Sequence, residues 1–238
     1  MSPTFAAAGG SAYWYLTRST GAMALLLLTL AIAIGVVDVK RWSTARWPRF
    51  VVDSLHRNVS LLAMVFLSLH ILTAVLDSFA SIPLIDAFVP FVGSYRPFWL
   101  GLGAVSFDLL LAVTITSLLR QRIGYASWRA IHWLTYASWP IALLHGLGTG
   151  SDVTSAWLLA LSLACVAMVA GAVLVRVLTG PERTRLRGAT LGGAGLFAVF
   201  LLLWLPSGPL GSEWARRSGT PTSLLAHSKT VAKSGSGR

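Results

Sequence analysis

Six stretches of this chain are long and apolar enough to cross a hydrocarbon core of about 30 Å, which takes about 20 helical residues. They run from Tyr13 to Val37, Val51 to Leu76, Phe98 to Leu119, Ala130 to Leu147, Ala156 to Leu178 and Ala189 to Leu205. Lipid offers no hydrogen bonds to the backbone, so each stretch must satisfy its own amides as a helix. The sequence therefore predicts an all-α fold, a polytopic membrane helical bundle of about six transmembrane helices. Composition agrees: 55% of the 238 residues are hydrophobic and only 11% charged, against about a quarter charged in ordinary soluble domains. Residues 1–205 form the transmembrane domain. Residues 206–238, rich in Gly, Ser, Thr and Pro, are expected to be an extracytoplasmic tail, partly disordered.

A formal net charge of +11 would suggest a nucleic-acid partner for a soluble protein, but here the basic residues sit in short loops between apolar runs and report orientation instead. Lys40, Arg41, Arg46 and Arg49 follow the first stretch, Arg120, Arg122 and Arg129 the third, and Arg183, Arg185 and Arg187 the fifth. These loops are expected on the cytoplasmic side. The opposite loops carry Asp86, Asp152 and only Arg96, so both termini should be extracytoplasmic. The basic tail residues Arg216, Arg217, Lys229, Lys233 and Arg238 run against this rule, which makes the sixth span the least constrained. The first stretch reads as a retained span rather than a secretory signal, because Lys40 and Arg41 follow it and only Arg18 lies on its N-terminal side. Glycines in GLGTG (Gly146 to Gly150) and LGGAG (Leu191 to Gly195) lack the dinucleotide fingerprint and are expected to serve close helix packing.

Within this apolar frame four of the five histidines fall as two pairs on two spans, His56 with His70 and His132 with His145. Any one intramembrane histidine is accounted for by a hydrogen bond within the bundle. Ionisable residues in the membrane are costly, however, and four at two matched depths are a stronger signal. The spacings of 14 and 13 residues rise about 21 and 20 Å along a helix, which sets the two levels near opposite faces of the core. Each imidazole can give iron one axial nitrogen, so two such helices can clamp two six-coordinate haems. The rotational phase is less regular: 14 residues return to within about 40° of the starting face, whereas 13 miss by about 140°. Pro140, between His132 and His145, is a place where a kink could realign the face. The single cysteine, Cys165, excludes an internal disulfide and a Cys-rich metal site.

The segments LHRNVSLLAMVFLSLH and IHWLTYASWPIALLH resemble the ferric reductase-like transmembrane domain family, which includes the membrane cores of NADPH oxidases, the ferric reductases and the haem subunit of a periplasmic methionine sulfoxide reductase. The resemblance covers about the first five spans. It implies two b-type haems, His56 with His132 for the inner one and His70 with His145 for the outer one. It also implies electron transfer outward to ferric iron, oxygen or an extracytoplasmic redox partner. Family oxidases carry an additional span before the first histidine helix and a cytoplasmic flavin and NADPH domain after the last. This sequence departs on both points, so its electrons are expected from a separate flavoprotein holding FMN or FAD, or from quinol. A bacterial plasma membrane is the expected location.

Further polar and aromatic residues have less specific readings. Asp108 lies inside the third stretch, where an acid contacts a polar bundle interior, handles protons or serves a haem-associated group. Arg57, beside His56, and Arg18, near the end of the first stretch, are candidates to neutralise a haem propionate; for Arg18 snorkelling to the interface is the simpler reading. Trp133, Tyr136 and Trp139 fall near the ligands and are candidates to pack on porphyrin faces, while Trp14, Tyr15, Trp42, Trp47, Trp99, Trp128 and Trp204 read as interfacial anchors. His227 reads as solvated. The alternative function is a non-redox membrane transporter, or a metal- or haem-binding protein, using the same histidines; transport favours labile ligands and helices broken near the midplane.

Overall fold

The computed structural model describes residues 11–39, 48–150, 152–178 and 184–226, and among these all regular structure is helical. The elements are α1 (Ala12–Val39), α2 (Arg49–Leu76), a 3₁₀ turn (Leu84–Ala87), α3 (Pro97–Leu118), α4 (Arg120–Ile123), α5 (Tyr125–His132), α6 (Thr135–Thr149), α7 (Ala156–Leu178), α8 (Thr184–Ser207) and α9 (Trp214–Arg217). Among the described residues, five helices are long and apolar enough to cross a membrane: Ala12–Val36, Arg49–Leu76, Pro97–Leu118, Ala156–Leu178 and Arg187–Ser207. Leucines stand outward on them, with Leu196, Leu202 and Leu203 of α8 more than 70% exposed. Such surface is stable against lipid and not against water. The chain is an integral membrane helical protein. Lys40, Arg41, Trp42, Arg46, Trp47, Arg183, His227, Lys229, Lys233 and Arg238 lie outside the described residues.

Two compact units divide the chain. Of the described residues, one comprises 11–21, 67–150 and 213–226, the other 22–39, 48–66, 152–178 and 184–212. In the first, α3 packs along α6. Small residues let the backbones approach: Gly101, Ala104 and Ser106 are buried on α3, Ser138 and Gly148 on α6, and the Ser106 hydroxyl donates to the Ser138 carbonyl at 3.0 Å. Residues 213–226 also belong to this unit. The Trp214 indole donates to the Gly148 carbonyl at 3.1 Å and packs tilted against Trp99, with ring centres 5.2 Å apart. Arg96, at the N-terminus of α3 and 3% exposed, donates from Nε to Thr220 Oγ1 (2.9 Å) and from Nη1 to the Gly148 and Gly150 carbonyls (2.9 and 3.4 Å). Its own amide donates to the Gly219 carbonyl, where a φ of +90° requires glycine. In the second unit the core is aliphatic, with Leu27, Leu28, Ile32, Val36, Val52 and Cys165 buried around Thr29.

The stretch expected as one fourth span is divided. Helix α5 ends at His132 and α6 begins at Thr135, with Trp133 and Leu134 between them at φ/ψ near −63°/−21°. The amides of Leu134, Tyr136 and Ala137 bond three residues back, to Ile131, Trp133 and Leu134, so this is a 3₁₀ join. Pro140 lies inside α6 instead of marking the break; its missing N–H deprives the Tyr136 carbonyl of its donor and favours irregular backbone on that side. The join turns His145 in the direction that lessens the phase mismatch. Winding at three residues per turn advances about 20° more per residue than an α-helix, so the three amides that bond three residues back bring the face of His145 closer to that of His132.

The expectation that the GLGTG and LGGAG glycines serve close packing holds for Gly148, where a Cβ would strike the Trp99 ring. Gly146, Gly192, Gly193 and Gly195 have open space beside them. Glycine content in an apolar helix does not by itself show which face meets a neighbour.

Candidate functional site

His70, on α2, and His145, on α6, come together within the first unit, with ring centres 6.2 Å apart and ring planes at 82°. Each ring is anchored through Nδ1. His70 Nδ1 lies 2.7 Å from the Thr17 carbonyl on α1, and His145 Nδ1 lies 2.9 Å from the Trp99 carbonyl on α3. A carbonyl only accepts, so Nδ1 carries the hydrogen in both, and the lone pair available to a metal is on Nε2. His56, in the second unit, repeats the arrangement with Nδ1 donating to the Ala31 carbonyl at 3.0 Å. Such outer hydrogen bonds set the tautomer of metal-ligating histidines and raise their basicity.

Each of these three rings lies against a glycine. A Cβ at Gly21 would stand 2.8 Å from His70 Nδ1, one at Gly35 3.1 Å from His56 Cε1, and one at Gly103 2.5 Å from His145 Nδ1. On the antiparallel α1 and α2 the residues run in register: Gly21 and Gly35 are 14 apart, as are His56 and His70. Among the described residues no group of three or more His, Cys, Asp or Glu gathers to hold a metal ion, so the outstanding feature is a pair of imidazoles. Their separation fits a haem iron. Two metal–imidazole bonds of about 2.0–2.1 Å, the length known for zinc, plus ring radii of about 1.15 Å from ring bonds of about 1.35 Å, set the centres about 6.4 Å apart.

His132 stacks on Trp128 at 5.0 Å, and the Trp128 indole donates to Ser117 Oγ at 3.1 Å. It belongs to the first unit and His56 to the second. Arg18 follows Thr17, whose carbonyl holds His70. Its guanidinium lies 3.8 Å over the Trp14 ring, within electrostatic reach of Tyr95, Arg96 and Asp77. Arg57 is exposed and turned about 100° from His56 on α2. Asp108 is half-buried on α3, five residues beyond Gly103, which turns it about 140° from the face that meets His145. Trp133 is exposed and packs against Tyr136 at 5.4 Å, at the α5–α6 join, while Trp139 is buried.

Sequence reasoning missed the glycines, the carbonyls they uncover, and Arg96 with its hold on residues 219 and 220. One signal was available. The spacing of Gly21 and Gly35 equals that of the α2 histidines, as expected of antiparallel helices meeting at two levels.

No curated protein and no solved structure matched the chain. A family model described as ferric reductase like transmembrane component matches residues 20–143, 124 of 238 residues, a stretch containing His56, His70 and His132. Domains of this kind generally bind haem and carry electrons across the membrane. With a match over more than half of its length, the chain belongs to the ferric reductase like transmembrane component family.

Proposed function

We propose that this protein is a di-haem b electron conduit, with His70 and His145 holding the outer haem and His56 and His132 the inner one. The observation that carries the reading is the His70–His145 pair, 6.2 Å apart with both Nδ1 atoms tied to main-chain carbonyls. The inner pairing rests on the matched 14- and 13-residue spacings and on the phase correction at the α5–α6 join. Bound haem supplies a one-electron centre at each level. The chain's own residues do the rest. The carbonyls of Thr17, Trp99 and Ala31 fix Nδ1 as the donor and leave Nε2 as the nitrogen that would bind the metal, and the aliphatic helices exclude water. Arg18, which follows Thr17 in α1, would neutralise a propionate of the outer haem.

Arg120, Arg122 and Arg129 orient their loop to the cytoplasm and favour an acidic flavoprotein carrying FMN or FAD as donor; quinol is the other donor compatible with the fold. Electrons would leave to ferric iron, oxygen or an extracytoplasmic protein. A transporter calls for labile, offset ligands near the midplane, whereas three of these histidines are pinned to the main chain. The test is a pyridine haemochrome assay on purified protein. Two haems per chain, extractable by acid acetone because no CxxCH attachment motif is present, are expected; one haem, none, or covalent haem would reject the reading.

A further inference from the structure

We propose that Gly21, Gly35 and Gly103 are positioning residues for the ligand histidines, each keeping open one main-chain carbonyl so that an imidazole can reach it and be fixed with Nε2 toward the metal. The inference rests on the haem reading and adds the device that orients the ligands.

In every case the accepting carbonyl lies four residues before the glycine: Thr17 before Gly21, Ala31 before Gly35 and Trp99 before Gly103. The offset has a physical cause. In an α-helix the carbonyl of residue i bonds the amide of i+4, and the Cα–Cβ bond of i+4 tilts toward the N-terminus, over that carbonyl. A side chain at i+4 crowds that side of the carbonyl: the small Ser106 hydroxyl still reaches the Ser138 carbonyl past Ala142, but glycine leaves room for the full width of an imidazole. A ring N–H can then share the carbonyl with the helix's own amide, since the oxygen has two lone pairs. The same offset serves two rings on α2 and one on α6, reached from α1 twice and from α3 once.

The space at these glycines is filled by the ring itself, as the approaches of 2.8, 3.1 and 2.5 Å show. Gly146, adjoining His145 in sequence, and Gly171 on α7 have nothing within 4 Å, whereas Gly101 and Gly148 lie against the rings of Phe91 and Trp99. What sets Gly21, Gly35 and Gly103 apart is that the ring each meets is an imidazole bonded to the carbonyl four residues earlier. An alanine there must push the ring away from its carbonyl. The imidazole then loses the bond that fixes its tautomer and raises its basicity, a change that costs about 10–100-fold in metal affinity at comparable sites.

The experiment compares full-length wild type with Gly21→Ala, Gly35→Ala, Gly103→Ala and Gly146→Ala in lipid nanodiscs, reading low-spin ferric EPR signals and midpoint potentials by redox titration. Gly21→Ala and Gly103→Ala should alter the same haem component and Gly35→Ala the other one. Gly146→Ala should match wild type. The expected change is loss of the component or at least a tenfold shift in ferric over ferrous preference, which is about 59 mV for one electron. A purely structural role would lower yield and leave the signals of the inserted protein unmoved. If Gly21→Ala or Gly103→Ala does not insert, Gly35→Ala still decides, because its 3.1 Å approach is relieved by a displacement of a few tenths of an ångström. Two unchanged components in the inserted variants overturn the inference while the haem reading stands. Wild type without bis-imidazole haem overturns both.

Discussion

The imidazole centres of His70 and His145 lie 6.2 Å apart with nearly perpendicular planes, and each ring is anchored at Nδ1 by a carbonyl of a different helix. Four helices thus meet at one pair of rings: α2 and α6 supply them, and α1 and α3 fix their tautomer. A site built this way is organised before any ligand enters, which lowers the ordering cost of binding.

Asp86, in the 3₁₀ turn between α2 and α3, is 6% exposed, and burial raises its carboxyl above the usual aspartate range. The folded protein therefore holds the proton more tightly than the unfolded chain. The stability contributed by protonated Asp86 is fully present below the unfolded pKa of about 3.9 and is lost as pH rises through the higher folded value. Asp86→Asn should raise the melting temperature at pH 7 and leave it nearly unchanged near pH 3. An equal gain at both pH values would show that packing, not titration, is responsible.

Arg96 joins the start of α3 to the end of α6 and to residues 219 and 220. Burial lowers its pKa, which indicates how little water reaches the guanidinium. Hydrogen bonds from a charged donor contribute about 1.5–3 kcal/mol each, so Arg96→Gln should release the segment after Glu213 and lower global stability by a comparable amount. Limited proteolysis is the check. Cleavage near residues 213–220 should become at least tenfold faster in the variant; unchanged cleavage rates would contradict the assigned anchor.

Much of this architecture was legible in the residues. The apolar runs that became α1, α2, α3, α7 and α8 were evident because bilayer thickness imposes a length that composition reports directly. The fourth run was legible as apolar but not as divided, since the 3₁₀ join at Trp133 and Leu134 depends on backbone bonding that hydropathy does not record. The histidine pairs were evident from spacing. Their carbonyl partners were not, because every residue has a carbonyl and only the packing of α1 on α2 selects Thr17 and Ala31. Arg96 looked like a stray charge in an otherwise acidic loop, and its partners at 219 and 220 lie more than 120 residues away.

The purified 238-residue chain should not be reduced by NADPH at a useful rate, although dithionite or a reduced flavin should reduce it. The loops expected on the cytoplasmic face are about ten residues long, far below the roughly 30 of one βαβ unit. Neutralising Arg120, Arg122 and Arg129 together should slow reduction by an acidic flavoprotein several-fold and flatten its dependence on salt, leaving the haem spectra intact. Stopped-flow reduction at several ionic strengths checks this. Rapid reduction by NADPH without added flavoprotein would contradict it.

Whether His70 and His145 share one iron is decided by potentiometric titration of wild type, His56→Ala, His70→Ala, His132→Ala and His145→Ala, followed at the reduced α band. Two components are expected in wild type, with loss of the same one in His70→Ala and His145→Ala and loss of the other in His56→Ala and His132→Ala. Depletion of one common component by His56→Ala and His70→Ala, or of different components by His70→Ala and His145→Ala, would contradict that pairing.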